Sequence, residues 1–182
     1  MQPPTIATGV DPKPSVIYPL TAETHIFPET SDAFFARRGP NALAGHPLGV
    51  GFIDGLHLYE QVLRDFIHLE KYCGPRSVIL FHDTVPLAEV TQSRSCDTQF
   101  HTGDVWKTVL CLKHYRPDLD ILTVVTGLDP ASRVLSERYE QAVARFVVTP
   151  FSAIEGRLND ALNVVPNDWS IVESRLKERR IL

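Results

Sequence analysis

Two aspartates and two histidines stand where two short apolar segments of the chain end. Asp54 and His57 follow the letters GVGFI, and His82 and Asp83 follow the letters SVILF. A carboxylate accepts hydrogen bonds from a ligand, and an imidazole can gain or lose a proton near neutral pH. Packing alone rarely calls for a carboxylate at the end of two neighbouring apolar strands, so the pattern predicts a ligand-binding pocket.

The segment Gly49–Val85 contains the elements that position these four residues. Its two apolar runs lack alternation, which favours strands buried on both faces of a parallel sheet. Between the runs, apolar residues recur at helical spacing: Tyr59, Val62, Leu63, Phe66, Ile67 and Leu69. The segment therefore predicts a right-handed strand–helix–strand unit. The carboxyl ends of its parallel strands meet at one edge, where open α/β sheets bind ligands.

The remaining sequence predicts further elements of an α/β fold. Strands are expected over 5–10, 24–27 and 119–125, and helices after Thr30 and over 105–115, 132–147, 152–162 and 167–179. Residues 86–101 are polar and irregular, and two interpretations stay open, a lid over the strand ends or a mobile surface loop. Trp106 is expected in the core and Lys107 in solvent.

Composition limits the classes of protein to which this chain can belong. Its 182 residues are 43% hydrophobic and 22% charged, which is typical of one globular domain with a hydrophobic core. A net charge of −4 gives no electrostatic footprint for nucleic acid, and no apolar run is long enough to cross a membrane. Three cysteines without metal-ligand spacing favour reduced thiols. We therefore expect a cytoplasmic protein that binds neither nucleic acid nor membrane.

Three short motifs resemble a known enzyme family. They are IDGLHLY at Ile53–Tyr59, HDT at His82–Thr84 and GDVWK at Gly103–Lys107. Together they resemble the class I S-adenosylmethionine-dependent methyltransferases, in the branch of the macrocin-type and cephalosporin-type O-methyltransferases. The resemblance extends over residues 8–125. It implies a Rossmann-like, doubly wound, mostly parallel sheet over residues 1–150, with a C-terminal helical extension over residues 151–182 packed on the same domain.

The resemblance implies that the first part of the chain binds S-adenosylmethionine. Asp11 would accept hydrogen bonds from the ribose hydroxyls, and Ser31 and Asp32 would lie near the adenine ring. The family's glycine-rich loop lies about twenty residues before that acid, whereas the residues before Asp11 contain no GxGxG. We therefore expect an N-terminally truncated fold without the first strand, the cofactor loop and the first helix. Their loss would expose two strand edges, so we also expect a homodimer.

The resemblance assigns the residues at the strand ends to metal binding and proton transfer. Asp54, His82 and Asp83 would hold magnesium or another divalent cation. His82 replaces a carboxylate that is common in the family, and imidazole is a poorer ligand for magnesium than oxygen is. His57 or His82 would take the proton of the acceptor. Simpler interpretations stay open, because Asp54 can end a strand in a turn and His57 can begin a helix with its ring bonded to the backbone.

Two functions are compatible with this sequence. The first is an S-adenosylmethionine-dependent methyltransferase that transfers a methyl group to an oxygen of a small molecule, with or without the help of a metal. The second is a non-catalytic relic or partner-binding module that has lost cofactor binding. Binding of S-adenosylmethionine distinguishes the two. Spacing does not identify the substrate, because loops such as residues 86–101 determine acceptor specificity.

Overall fold

The chain consists of two compact units, Met1–His46 and Pro47–Leu182. The structure is a computed structural model that describes residues 5–43, 45–122, 124–126, 128–166 and 168–181. A division at residue 150 was expected from the sequence and remains a prediction.

The first unit contains a parallel pair of strands and a helix. Strand β1 (Ile6–Val10) pairs in parallel with β2 (Glu23–Phe27), and helix α1 (Ser31–Arg38) follows. The predicted strands at these positions are confirmed. Thr30 is the N-cap of α1, because its hydroxyl accepts a hydrogen bond from the Ala33 amide at 3.3 Å.

The second unit begins with the predicted strand–helix–strand segment. Strand β3 (Leu48–Ile53), helix α2 (Tyr59–Glu70) and strand β4 (Cys73–Phe81) follow one another, and β3 pairs in parallel with β4. Helix α2 forms where predicted because its apolar residues share one face, and it buries Tyr59, Val62, Leu63 and Phe66 almost completely. The parallel pairing brings the ends of β3 and β4 together.

The sheet is mixed, and the strand predicted over residues 119–125 was wrong. Two short strands occupy this region, β5 (Asp120–Ile121) and β6 (Val124–Thr126), which pair in antiparallel fashion. Among the described residues the strand order of this sheet is β3-β4-β6-β5, and β6 is antiparallel to β4. The segment 119–125 contains no glycine or proline that would signal a chain reversal, which is why the sequence indicated one strand.

Five helices follow β4 in the described part of the chain: α3 (Trp106–Tyr115), α4 (Val134–Glu137), α5 (Tyr139–Val147), α6 (Leu158–Leu162) and α7 (Trp169–Glu178). The helix predicted over 132–147 is interrupted at Arg138, and only the second half of that predicted over 152–162 is an α-helix. Asn167, the predicted start of the last helix, lies outside the described residues. No helix among the described residues has the length and hydropathy needed to cross a bilayer.

Strand β3 is buried on one face only, so burial on both faces was a wrong expectation for this strand. Gly51 and Ile53 face α2, since a Cβ at Gly51 would lie 3.4 Å from Cδ1 of Leu69. On the other face, Val50 and Phe52 are 64% and 59% exposed. An apolar strand therefore does not by itself indicate how many faces are covered.

All five residues of the GDVWK motif are buried in the second unit. Trp106 is fully buried, as expected. Lys107 is also buried, so the expectation that it is solvated was wrong. Its ammonium group donates to the Val147 carbonyl at 2.6 Å and pairs with Asp104 at 3.1 Å. These partners offset the cost of removing a charge from water.

Candidate active site at the ends of β3 and β4

Four side chains converge at the carboxyl ends of β3 and β4, and we call Asp54, His57, His82 and Asp83 the strand-end cluster. Nδ1 of His82 lies 2.9 Å from Oδ1 of Asp54 and 3.2 Å from Oδ2 of Asp83. Nε2 of His57 lies 3.6 Å from Oδ1 of Asp54 and 3.5 Å from Oδ2 of Asp83. The structure therefore brings together all four side chains that the sequence placed at this edge.

The backbone at the ends of the two strands accounts for this convergence. The His82 amide donates to the Ile53 carbonyl at 3.0 Å, which continues the parallel ladder by one residue and sets Asp54 beside His82. Asp83 then adopts a φ of 52°, in the left-handed region that aspartate enters more readily than most residues. The pairing of β3 with β4 and the turn at Asp83 thus place both carboxylates around the same imidazole nitrogen.

The cluster is open to solutes. The side chains of His82 and Asp54 are 50% and 40% exposed, whereas those of His57 and Asp83 are 25% and 16% exposed. The first two are accessible to a ligand, and the other two are held more firmly by their surroundings.

The ring of His57 has different neighbours at its two nitrogens. Nδ1 lies 2.9 Å from the main-chain oxygen of His101. A carbonyl oxygen only accepts, so Nδ1 carries the hydrogen of this bond. In the neutral ring, Nε2 then has the lone pair and faces Asp54 and Asp83. The simpler interpretation, a ring bonded to the backbone, is thus correct for one nitrogen and leaves the other directed at the carboxylates.

The segment after the polar loop supports the start of α2. Asp104 is fully buried, and its Oδ1 accepts a hydrogen bond from the Tyr59 amide at 2.7 Å. The first amides of a helix have no acceptor within the helix, and Asp104 supplies one for Tyr59. Asp104 therefore caps α2 from 45 residues away in the sequence. Sequence reasoning missed this role, because capping signals are sought immediately before a helix.

The loop of residues 86–101 is connected to both neighbouring helices. Arg94 donates to Glu60 in α2 at 2.5 Å and to Asp104 at 2.7 Å. The indole nitrogen of Trp106 donates to Gln92 at 3.2 Å. The hydrogen bond from Arg94 lowers the pKa of the Glu60 carboxyl from its ordinary value of 4.5. These bonds fasten the loop next to His57, while its role as a lid remains a prediction.

The three residues assigned to cofactor binding lie in the first unit. Asp11 directly follows β1, is exposed, and accepts a hydrogen bond from the Lys13 amide at 2.6 Å. Ser31 and Asp32 form the first turn of α1. The end of a parallel strand and the first turn of a helix are common positions for ligand-binding side chains in α/β proteins.

Three members of the strand-end cluster have the spacing of a metal site. Ligand atoms of Asp54, His57 and His82 all lie within 4.8 Å of one another. The sequence had indicated Asp83 with Asp54 and His82, so the geometry adds His57 to the candidates. A set that mixes imidazole nitrogens with carboxylate oxygens suits manganese, iron or zinc better than magnesium.

One family model matches part of this chain. Residues 8–84 match the family model described as a methyltransferase domain. This match supports a methyltransferase family. The matched region runs from β1 to Thr84, so it contains Asp11 and the whole strand-end cluster, whereas residues 101–104 beside His57 lie outside it. No curated protein and no solved structure gave a significant match.

Proposed function

We propose that this protein is an S-adenosylmethionine-dependent methyltransferase that methylates an oxygen atom of a small-molecule acceptor. The observation that carries the proposal is the strand-end cluster, with two carboxylates and two imidazoles at adjoining strand ends inside the region that matches a methyltransferase domain. This edge is where open α/β sheets bind their ligands.

His57 is the residue best suited to take the proton of the acceptor hydroxyl. Its Nδ1 is bonded to the His101 carbonyl, so Nε2 has the lone pair that accepts a proton. Asp54 and Asp83 lie 3.6 and 3.5 Å from that nitrogen and form ion pairs with the imidazolium. The cofactor, when bound, supplies an activated methyl group, so the protein mainly orients and deprotonates the acceptor.

Asp54, His82 and Asp83 would hold a divalent cation beside this base. The two carboxylates offset the charge of a cation, and the accessible imidazole of His82 adds a nitrogen ligand. A bound cation would lower the pKa of an acceptor hydroxyl. The residues present therefore fit such a group.

In the first unit, Asp11 is the residue proposed to bind the ribose of the cofactor. Its exposed carboxylate uses Oδ1 for the Lys13 amide, and a carboxylate has acceptor positions for further hydroxyl donors. Ser31 and Asp32 are proposed to lie near the adenine ring.

A partner-binding module without catalysis is the second candidate. The exposed apolar face of β3, with Val50 and Phe52 more than half exposed, favours it. Under this alternative the strand-end cluster would contribute only to folding.

A methyl-transfer assay with labelled S-adenosylmethionine tests the proposal. We would incubate the protein with a panel of hydroxylated small molecules, with and without Mn²⁺, and compare His57→Gln with the control His25→Gln. His25 is exposed in β2, so its loss should not change the rate. Loss of a general base should reduce kcat by about 10²–10⁴-fold in His57→Gln. Equal rates in His57→Gln and the unmodified protein would contradict the proposal.

A further inference from the structure

We propose that the segment His101–Asp104 is a positioning element that keeps His57 in one tautomer, with the proton on Nδ1 and the lone pair on Nε2. The use of that lone pair as a base rests on the proposed function. The tautomer itself is a property of the protein alone.

The first support is the double contact of His101 with the His57 ring. The His101 carbonyl oxygen accepts from Nδ1 of His57 at 2.9 Å, and the two imidazole rings stack with centroids 5.5 Å apart and an interplanar angle of 18°. Nε2 of His101 in turn donates to the Ser93 carbonyl at 2.9 Å. His101 is thereby fixed, and it fixes the plane and the hydrogen of the His57 ring.

Gly103 allows this approach. Its φ is 57°, and a Cβ at this position would overlap the carbonyl oxygen of His57 and lie 2.6 Å from the Cβ of His57. Real Cβ atoms do not tolerate such contacts, so a side chain at 103 would push the segment away from His57. A glycine here is required by the close approach and by the left-handed backbone together.

Asp104 joins the segment to the same helix start. It caps α2 through the Tyr59 amide, two residues after His57, and it is itself fixed by Arg94 at 2.7 Å and Lys107 at 3.1 Å. The segment His101–Asp104 thus contacts the ring of His57, the carbonyl of His57 and the amide of Tyr59. These contacts restrict both the position and the rotation of the His57 ring.

Nitrogen NMR of the whole protein, with ¹⁵N-labelled histidine, tests the inference directly. The spectrum is recorded without substrate at alkaline pH, where imidazole rings are neutral, and His57→Gln identifies the resonances. We expect Nδ1 of His57 in the protonated range and Nε2 in the unprotonated range. The proton on Nε2 instead, or an even mixture of tautomers, would overturn the inference.

Gly103→Ala tests the mechanism, with Gly156→Ala as its matched control. Gly156 has a φ of 76° and open space where an alanine Cβ would lie, so its replacement brings the same backbone strain without a contact to His57. We expect Gly103→Ala to lose the single tautomer and to lower kcat about 10–100-fold with a smaller change in KM. Gly156→Ala should keep the single tautomer of His57 and the kcat of the unmodified protein. Unchanged His57 resonances in folded Gly103→Ala would refute the mechanism.

His101→Ala provides a second test if Gly103→Ala does not fold. It removes the stacked ring and the bond to Ser93 but keeps the main-chain carbonyl, so the His57 resonances should move part of the way towards the other tautomer. No movement would overturn the role of His101. A single Nδ1–H tautomer in a protein that transfers no methyl group would refute the proposed function and leave this inference intact.

Discussion

The four residues of the strand-end cluster divide into an accessible pair and a restrained pair. Asp54 and His82 are the more exposed, whereas His57 and Asp83 are mostly covered. His57 is further restrained by the main chain of His101 at one nitrogen. Asp54 and His82 are therefore the members of the cluster that a ligand can reach most easily.

The strand-end cluster is predicted to bind a divalent cation. We expect Mn²⁺ to bind the unmodified protein at one site, because imidazole and carboxylate ligand atoms lie within 4.8 Å of one another. His82→Ala should weaken the binding by at least about tenfold, since even residues outside the ligand shell typically contribute that much. Calorimetric titration measures the affinity, with His25→Ala as the control. The same affinity in His82→Ala and the control would exclude His82 as a ligand.

The loop of residues 86–101 is connected to α2 by an ion pair between Arg94 and Glu60. Arg94 forms a pair of hydrogen bonds with Glu60, at 2.5 and 3.1 Å, and a third bond with Asp104. The ion pair between Arg94 and Glu60 is partly exposed, since their side chains are 41% and 25% accessible. Its contribution to stability is therefore modest.

This connection predicts a dependence of stability on pH. Arg94 lowers the pKa of Glu60 below its ordinary value of 4.5, so the ionised carboxylate is favoured in the folded protein. The resulting stabilisation is present above that value and is lost as the pH falls through the folded pKa. Urea unfolding should show that the free energy of unfolding of Glu60→Gln falls less on acidification than that of the unmodified protein. The difference should be less than about 1 kcal/mol. Identical acid dependence in the two proteins would contradict the prediction.

Elements with their own periodicity could be predicted from the sequence, and contacts distant in sequence could not. Helix α2 was predictable because its apolar residues repeat at helical spacing. The strand–helix–strand unit built around this helix also predicted that Asp54 and His82 lie close together. The cap that Asp104 provides for α2 and the burial of Lys107 were not predictable, because their partners lie 45 and 40 residues away. The β5–β6 reversal was missed because no glycine or proline between residues 119 and 125 marks a turn.

The described strands form two separate sheets. β1 pairs with β2, and β3 lies at the edge of the other sheet, beside β4. An edge strand presents unpaired backbone groups to water or to another chain. The exposed side chains of Val50 and Phe52 lie on this edge strand and add apolar surface.

The open edge of β3 supports the prediction of a homodimer. Light scattering should give twice the mass of the chain, and Phe52→Lys should lower that mass, because a charge on the exposed face opposes association through it. Gly156→Ala, distant in sequence from β3 and with open space for the added Cβ, serves as the control. A monomeric mass for the unmodified protein would show the prediction to be wrong.

Binding of S-adenosylmethionine and of its demethylated product tests whether this protein is a methyltransferase. Calorimetry on the full chain needs no knowledge of the acceptor, and Asp11→Asn should weaken the binding because it replaces the carboxylate proposed to accept the ribose hydroxyls. We predict saturable binding of both ligands at one site per chain. Absence of heat from either ligand at millimolar concentration would contradict this claim.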